Sequence, residues 1–211
     1  MVIGITGSSG AGKSTICEIL ERDYNVKIIN ADKIARKLSR KGTNYVIDII
    51  KIFGKDIVDE EGELKRKKLA EIIYSNDEMR KKLNNSTFKY IRKEIEKQIN
   101  KLNKNLVAVI DAPLLFESEL DKICDKVIGV KCNRELQLDR IVARDNIDFE
   151  DAEKRLNAQQ NNEFYIKKCD DIIENNNNFL YIENSVEEIA NKYGLDKYGE
   201  KTKTNITHRC K

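Results

Sequence analysis

The stretch TGSSGAGKST, residues 6–15, decides how the rest of the chain is read. Gly7, Gly12, Lys13 and Ser14 satisfy the pattern G-x-x-x-x-G-K-[ST]. An apolar run, VIGI (2–5), precedes it, and Ile16, Ile19 and Leu20 follow at helical spacing. Each residue type has a chemical reason. Glycines let successive backbone N–H groups turn inward onto phosphate oxygens, and the N-terminus of the following helix adds its dipole. The lysine reaches β and γ phosphates, and the hydroxyl that follows binds magnesium. Strand, glycine-rich loop and helix in this order predict a phosphate-binding loop.

Working outward, VKII (26–29), LVAVI (106–110), VIGV (127–130), DII (171–173) and FLYI (179–182) repeat the character of the first run. Their apolarity is continuous rather than alternating, which predicts strands covered on both faces and hence a parallel sheet. Helical stretches alternate with these five or six runs, so the fold class is α/β, a doubly wound parallel sheet of the P-loop type. Residues 33–104 are almost wholly helical in pattern, too long for a simple crossover, and read as an insertion. Within it Phe88, Ile91, Ile95, Ile99 and Leu102 fall at helical spacing and read as packing. Ser185 with Glu188 forms a capping box for a last helix through about Lys192. The expected division is a nucleotide-binding core over 1–32 and 105–192, a helical insertion over 33–104, and a flexible tail over 193–211. The asparagine run 175–178 reads as a loop.

The 211 residues fit one domain with insertions, and 40% apolar with 36% charged residues describes a soluble globular protein. A net charge of +3 gives no argument for nucleic-acid or membrane partners. Cys17, Cys124, Cys132, Cys169 and Cys210 are scattered and odd in number, which predicts reduced thiols in a cytosolic protein rather than disulfides or a zinc site. The single histidine, His208, lies in the polar tail and argues against histidine acid–base catalysis. No signal peptide is expected ahead of VIGI, and no run approaches the roughly 20 apolar residues of a membrane span. The Asn-Lys-x-Asp stretch by which switch GTPases read guanine is missing from the sequence. A chain this short favours a kinase acting on a small molecule over a motor or transport ATPase.

Several charged residues gather around this frame. Asp111 follows LVAVI directly, where an acid beside the phosphate loop holds magnesium; it also suits the start of a loop before Pro113. Asp32 follows VKII and, by the rule that ligands bind beyond the carboxyl ends of the strands, falls on the same rim. It is either a helix N-cap, with a helix starting at Lys33, or the carboxylate that accepts the proton of an attacking hydroxyl. The roles are compatible. Arg140 and Arg144 share one helix face, and Arg155 and Gln159 repeat the spacing on the next helical stretch. These two helices, about 140–160, form a candidate lid whose arginines face one another across ATP, since a guanidinium grips phosphate oxygens bidentately. Exposed helices in so charged a chain carry such arginines routinely, paired with Asp139, Glu150 or Glu153.

Taken in order, GITGSSGAGKST, NADKIARKL, DAPLLFES, RELQLDRIVARD with RLNAQQ, and CDDIIENN resemble the dephospho-coenzyme A kinase family over about residues 1–192. The resemblance implies a P-loop kinase with a five-stranded core, a helical substrate-binding domain and a lid. The implied reaction moves the γ-phosphoryl group of ATP, with magnesium, to the ribose 3′-hydroxyl of dephospho-coenzyme A, giving coenzyme A and ADP. A nucleoside or nucleotide kinase of the same fold and a non-catalytic ATP-binding regulatory module are the competing readings. Carried over by position, Gly10, Ala11, Gly12, Lys13, Ser14 and Thr15 hold the ATP phosphates, with Arg140 and Arg144 from the lid and Asn175 near the adenine. Asp32 orients or deprotonates the acceptor, with Lys13 and Arg140 completing the catalytic set. Arg36, Asp111, Leu115 and Phe116 bind the acceptor, and Ser14 with Asp111 holds the metal. The resemblance further implies no nucleic-acid or membrane partner and a monomer or weak homo-oligomer in the cytoplasm. Asn30 replaces the first acid of the family's Asp-Ala-Asp, and Phe88-Lys89 replaces a His-Pro pair.

Overall fold

The structure is a computed structural model that describes residues 1–176 and 178–199. Asn177 of the asparagine run, and the tail residues 200–211 with His208 and Cys210, lie outside the described residues. The described chain clusters into two compact units, one of Met1–Ile29 with the described residues from Asn103 onward, the other of Asn30–Leu102.

In the first unit, β1 (Val2–Thr6), β2 (Val26–Asn30), β3 (Val107–Asp111), β4 (Lys126–Lys131) and β5 (Asp171–Glu174) form one sheet in the order β2-β3-β1-β4-β5. β1 pairs in parallel with β3 and β4, and β4 with β5. β1 is therefore central, and the chain crosses it between β3 and β4. That reversal in strand order is where α/β sheets open a crevice at their carboxyl ends. The register pairs Ile5 with Asp111, so the acid sits beside the last turn of β1 before the glycine-rich loop begins. Helix α1 (Lys13–Asp23) buries Ile16, Cys17, Ile19 and Leu20 against Ile3, Ile5, Val109, Ile128 and Val130 of the strands. Consecutive strand residues such as Ala108, Val109 and Ile110 are all buried, which accounts for the continuous apolarity of the strands.

The run FLYI does not form a strand. Residues 179–182 open helix α9 (Phe179–Lys192), capped by Asn178, whose side chain accepts from the Tyr181 N–H at 3.0 Å. Four apolar residues fit the start of a helix as well as a strand, and here Ile182, Val186 and Ala190 enter the core while Phe179, Leu180 and Tyr181 stay exposed. Ser185 is mid-helix, donating back to the Tyr181 carbonyl, so the capping box read from Ser185 and Glu188 is not the helix start. Past α9 the chain remains docked as far as Tyr198, whose N–H donates to the Asp23 carbonyl at 2.8 Å. Leu195 is buried in the same core, the Tyr193 hydroxyl donates to Asp171, and Lys197 bridges to Tyr24. A lone leucine among polar residues leaves no periodicity, which is why residues 193–199 read as tail.

The second unit consists of α2 (Ala31–Leu38), α3 (Asn44–Phe53), α4 (Arg66–Ser75) and the long α5 (Asp77–Ile99). Helix α5 packs on the other three and buries Ile91 and Ile95, as its spacing predicts. Ile49, Ile57 and Leu69 form a small core with Tyr45, Phe53 and Leu83 around it. Beside it the Asp48 carboxylate accepts from the Tyr90 hydroxyl at 2.7 Å and from Lys89 and Lys51 at 2.9 Å. Lys89, one of the two residues in place of the expected His-Pro pair, is thus used within the unit.

Those three donors, Tyr90 foremost, hold the Asp48 carboxyl well below the usual carboxylate range. A depressed folded-state value stabilises the fold above the unfolded value near 4, and the contribution is lost as pH falls below it. Asp48→Asn should therefore lower the urea midpoint at pH 7 and flatten its decline between pH 5 and pH 2, as followed by circular dichroism.

Candidate active site

For backbone N–H groups to line a phosphate cradle, the carbonyls of the same loop must turn the other way and find donors. The structure supplies one for each carbonyl from Gly7 to Ala11. Lys13 Nζ donates to Gly7 O at 2.6 Å and to Ser8 O at 3.1 Å. Gln137 Nε2 donates to Ser9 O at 3.2 Å, Arg140 Nη1 to Gly10 O at 3.1 Å, and Asn175 Nδ2 to Ala11 O at 2.8 Å. The Gly12 carbonyl accepts from the Thr15 N–H and so begins α1. Gly10 and Gly12 take φ of 75° and 95°, a region that favours glycine. A Cβ at Gly12 would lie 1.7 Å from Asn175 Nδ2, so this glycine serves both conformation and the approach of its partner.

The donors come from two distant segments. Gln137 and Arg140 lie on α6 (Arg134–Asp145), three residues apart and on one face. Asn175 follows β5 and is buried; its own carbonyl accepts from Arg140 Nη2 at 3.3 Å and from the Cys132 thiol. Arg140, Gly10, Ala11 and Asn175 therefore form one hydrogen-bonded cluster. The asparagine run is divided by task. Asn175 serves the loop, Asn176 ties the Asn133 backbone N–H to Glu174, and Asn178 caps α9.

After α6 the chain turns through Asn146 in the left-handed region into α7 (Phe149–Asn157), capped by Asp148. Leu138, Ile141, Ala152 and Leu156 hold the pair together. Arg144 donates to Asp145 through Nε and Nη2, both at 2.8 Å, and Arg155 reaches the same carboxylate. Of the arginines expected to face one another across the two helices, Arg144 and Arg155 converge on Asp145, while Arg140 does not join them. Arg140 turns onto the loop, and Arg155 onto Asp145, whose carboxyl Arg144 and Arg155 hold below the usual range. Gln159, just beyond α7, accepts from the Ser9 N–H at 2.6 Å and donates to Ser9 Oγ at 3.0 Å. Gln137 carries no mark in the sequence beyond its three-residue spacing from Arg140.

Asp111 is buried at the end of β3. Burial pushes the Cys17 thiol up, Asp111 adds to the rise and Lys13 opposes it, so both charges lie within reach of one side chain on α1. Leu115 is fully buried, with its methyl groups against Gly4, and packs the core instead of presenting a surface to an acceptor. Phe116 is half-buried and meets Phe164 of α8 (Asn162–Lys168) edge to face at 5.4 Å. Among the described residues Cys17, Cys124, Cys132 and Cys169 are free thiols, and burial pushes Cys124 and Cys169 up to about 12. No group of three or more metal-ligating side chains occurs among the described residues. The Ser14 hydroxyl and the Asp111 carboxylate are nevertheless hard oxygen donors of the kind that hold magnesium alongside substrate phosphates.

In the second unit, the helix after β2 starts at Ala31 rather than Lys33. Asn30, not Asp32, is its cap, with Asn30 Oδ1 accepting from the Lys33 N–H at 2.8 Å. The Asp32 carboxylate is exposed in the first turn, where the helix dipole favours an anion, and is not consumed by capping. Arg36 lies one turn further on the same face, also exposed, with its carbonyl bound by Arg66 Nη2 at 3.3 Å.

A family model described as dephospho-CoA kinase matches residues 1–180. The chain belongs to the dephospho-CoA kinase family. A dephospho-CoA kinase of Fusobacterium nucleatum is 42% identical over 178 residues, 84% of this chain and 91% of that one. The solved dephospho-CoA kinase of Campylobacter jejuni is 34% identical, with a TM-score of 0.66 over 91% of this chain and 96% of that one. A solved protein of Thermus thermophilus, at 25% identity, gives a TM-score of 0.77 over 91% and 97% of the two chains. As a member of a kinase family on the P-loop fold, the chain is an ATP-dependent phosphotransferase. The matched span includes every loop carbonyl donor named above, Asn175 among them.

Asn175→Ala removes the donor to Ala11 O and leaves buried polar atoms unpaired, at a cost of about 1–3 kcal/mol. The expected result is a lower melting temperature and weaker ATP binding together, measured by calorimetry on the same protein.

Proposed function

We propose that this chain transfers the γ-phosphoryl group of ATP to the ribose 3′-hydroxyl of dephospho-coenzyme A, forming coenzyme A and ADP. The observation that carries the reading is the side-chain bracing of loop carbonyls 7–11, which turns those carbonyls away from the phosphate cradle, in a chain of this family. The loop from Gly10 to Thr15 binds the ATP phosphates, and Lys13 follows charge onto the β–γ bridge as it develops. Arg140, with its second amino group on Asn175, is fixed beside Gly10 and adds positive charge to the same region. Arg144, tied to Asp145, serves the outer lid. Magnesium, held by Ser14 Oγ and Asp111, would neutralise phosphate charge.

Asp32 accepts the proton of the 3′-hydroxyl as its oxygen attacks the γ-phosphorus; the bridging oxygen leaves with ADP, and the proton passes to solvent. Its exposure and its freedom from capping support that role. Arg36 on the same face of α2 pairs with the acceptor's phosphates, and Phe116 offers it an apolar surface. We assign the helical unit 30–102 to acceptor binding and α6–α7 to the lid. The reaction belongs in the cytoplasm, consistent with free thiols and with the lack, among the described residues, of any helix able to cross a membrane.

ADP release measured with dephospho-coenzyme A against a panel of nucleosides and nucleoside monophosphates tests the assignment; no turnover with dephospho-coenzyme A ends it. Asp32→Asn should cut kcat by about 10²–10⁴ while ATP affinity and melting temperature stay near wild type. Lys13→Ala should raise the KM for ATP and lower kcat together.

A further inference from the structure

Ser9 occupies one of the unspecified positions of the G-x-x-x-x-G-K-[ST] pattern, yet its polar groups are the most completely held in the loop. Its N–H donates to Gln159 Oε1 at 2.6 Å, its carbonyl accepts from Gln137 Nε2 at 3.2 Å, and its Oγ accepts from Gln159 Nε2 at 3.0 Å. The amide orientations follow from chemistry. A backbone N–H only donates, so the Gln159 oxygen faces it, and the Gln159 amino group must then face the hydroxyl. A backbone carbonyl only accepts, so the amino group of Gln137 faces Ser9 O. One capacity of Ser9 has no partner among the described residues: the proton of its hydroxyl. With Gln159 donating to the oxygen, that proton is directed away from the amide.

The direction matters because Ser9 lies at the γ end of the cradle. Lysine of this motif reaches the β and γ phosphates, and Lys13 Nζ sits on the carbonyls of Gly7 and Ser8, the residues just before Ser9. A half-buried hydroxyl there, polarised by an amide that donates to its oxygen, is a preorganised donor to phosphoryl oxygens.

We propose that Gln159 is a positioning residue for phosphoryl transfer, holding Ser9 so that the Ser9 hydroxyl donates a hydrogen bond to the γ-phosphoryl oxygens of ATP. The proposal rests on the function proposed above and adds to it a task for Gln159, which the sequence marks only by its spacing from Arg155 and its place in RLNAQQ. It also gives the α6–α7 arm a second task, because Gln159 follows directly on α7 and transmits the arm's placement to the loop.

A double-mutant cycle on the full chain tests it, with kcat, both KM values, melting temperature and acceptor-independent ADP release measured on each variant. Ser9→Ala and Gln159→Ala should each lower kcat by about tenfold, the scale of one charge-assisted hydrogen bond. The KM for dephospho-coenzyme A should stay within about twofold, because the effect resides at the donor phosphate. The double variant should be about as slow as either single one, since Gln159 acts through Ser9. Ser9→Thr keeps the hydroxyl and should restore kcat. Should Gln159→Ala fail to fold, Gln159→Glu still accepts from the Ser9 N–H but cannot donate to its oxygen, and is expected to be slow as well. Multiplicative effects in the double variant, a Gln159 variant as fast as wild type, or a Ser9→Thr no faster than Ser9→Ala would overturn the proposal. If wild type fails to use dephospho-coenzyme A, the proposed acceptor is wrong, and the cycle is read instead from ADP release without acceptor.

Discussion

The constraint on which this structure depends is the polarity of a short piece of backbone. A loop that presents its N–H groups to phosphate must turn its carbonyls outward, and buried carbonyls without donors cost about 1–3 kcal/mol each. Here the carbonyls of residues 7–11 are taken by Lys13, Gln137, Arg140 and Asn175. Their arrangement explains features that look unrelated along the chain. Helix α6 is placed so that two residues of one face reach the loop, and β5 ends where its next residue can reach Ala11. The glycine at position 12 leaves room for the Asn175 amide as well as taking a left-handed φ.

The cationic residues of the arm accordingly have structural partners of their own. Arg140 is fastened by Gly10 and Asn175, and Arg144 and Arg155 share Asp145. A guanidinium already oriented by protein acceptors loses less rotational freedom when a phosphate meets its remaining N–H groups. The α6–α7 arm is thus preorganised through the same contacts that finish the loop. In the helical unit the corresponding economy is at α2, where Asn30 takes over the capping bond and leaves the Asp32 carboxylate exposed.

Legibility from sequence followed the range of the interactions. The phosphate loop was readable because its motif is local, and the strands because continuous apolarity reports burial on both faces. The cap falls on Asn30 rather than Asp32 because the helix starts two residues earlier than read, within the ordinary uncertainty of helix ends. FLYI went astray because four apolar residues carry no period. The arginines at 140, 144 and 155 were legible as a group but not by partner, since spacing says which face a side chain shares and nothing of what it meets. Gln137 and the docking of Leu195 depend on tertiary contacts with no local trace. Leu115 shows the opposite error, a residue carried over by resemblance that the core claims for itself.

The wide sequence separations of the loop's partners bear on biosynthesis. Its bonds to Gln137, Arg140, Gln159 and Asn175 span 128 to 164 residues. The glycine-rich segment is made well before the side chains that shape it. At bacterial or eukaryotic elongation rates of about 5–20 residues per second, the gap is roughly 10–30 s. Through that interval the nascent chain holds the motif without its braces, so the ability to bind nucleotide arises late in translation rather than with the motif itself.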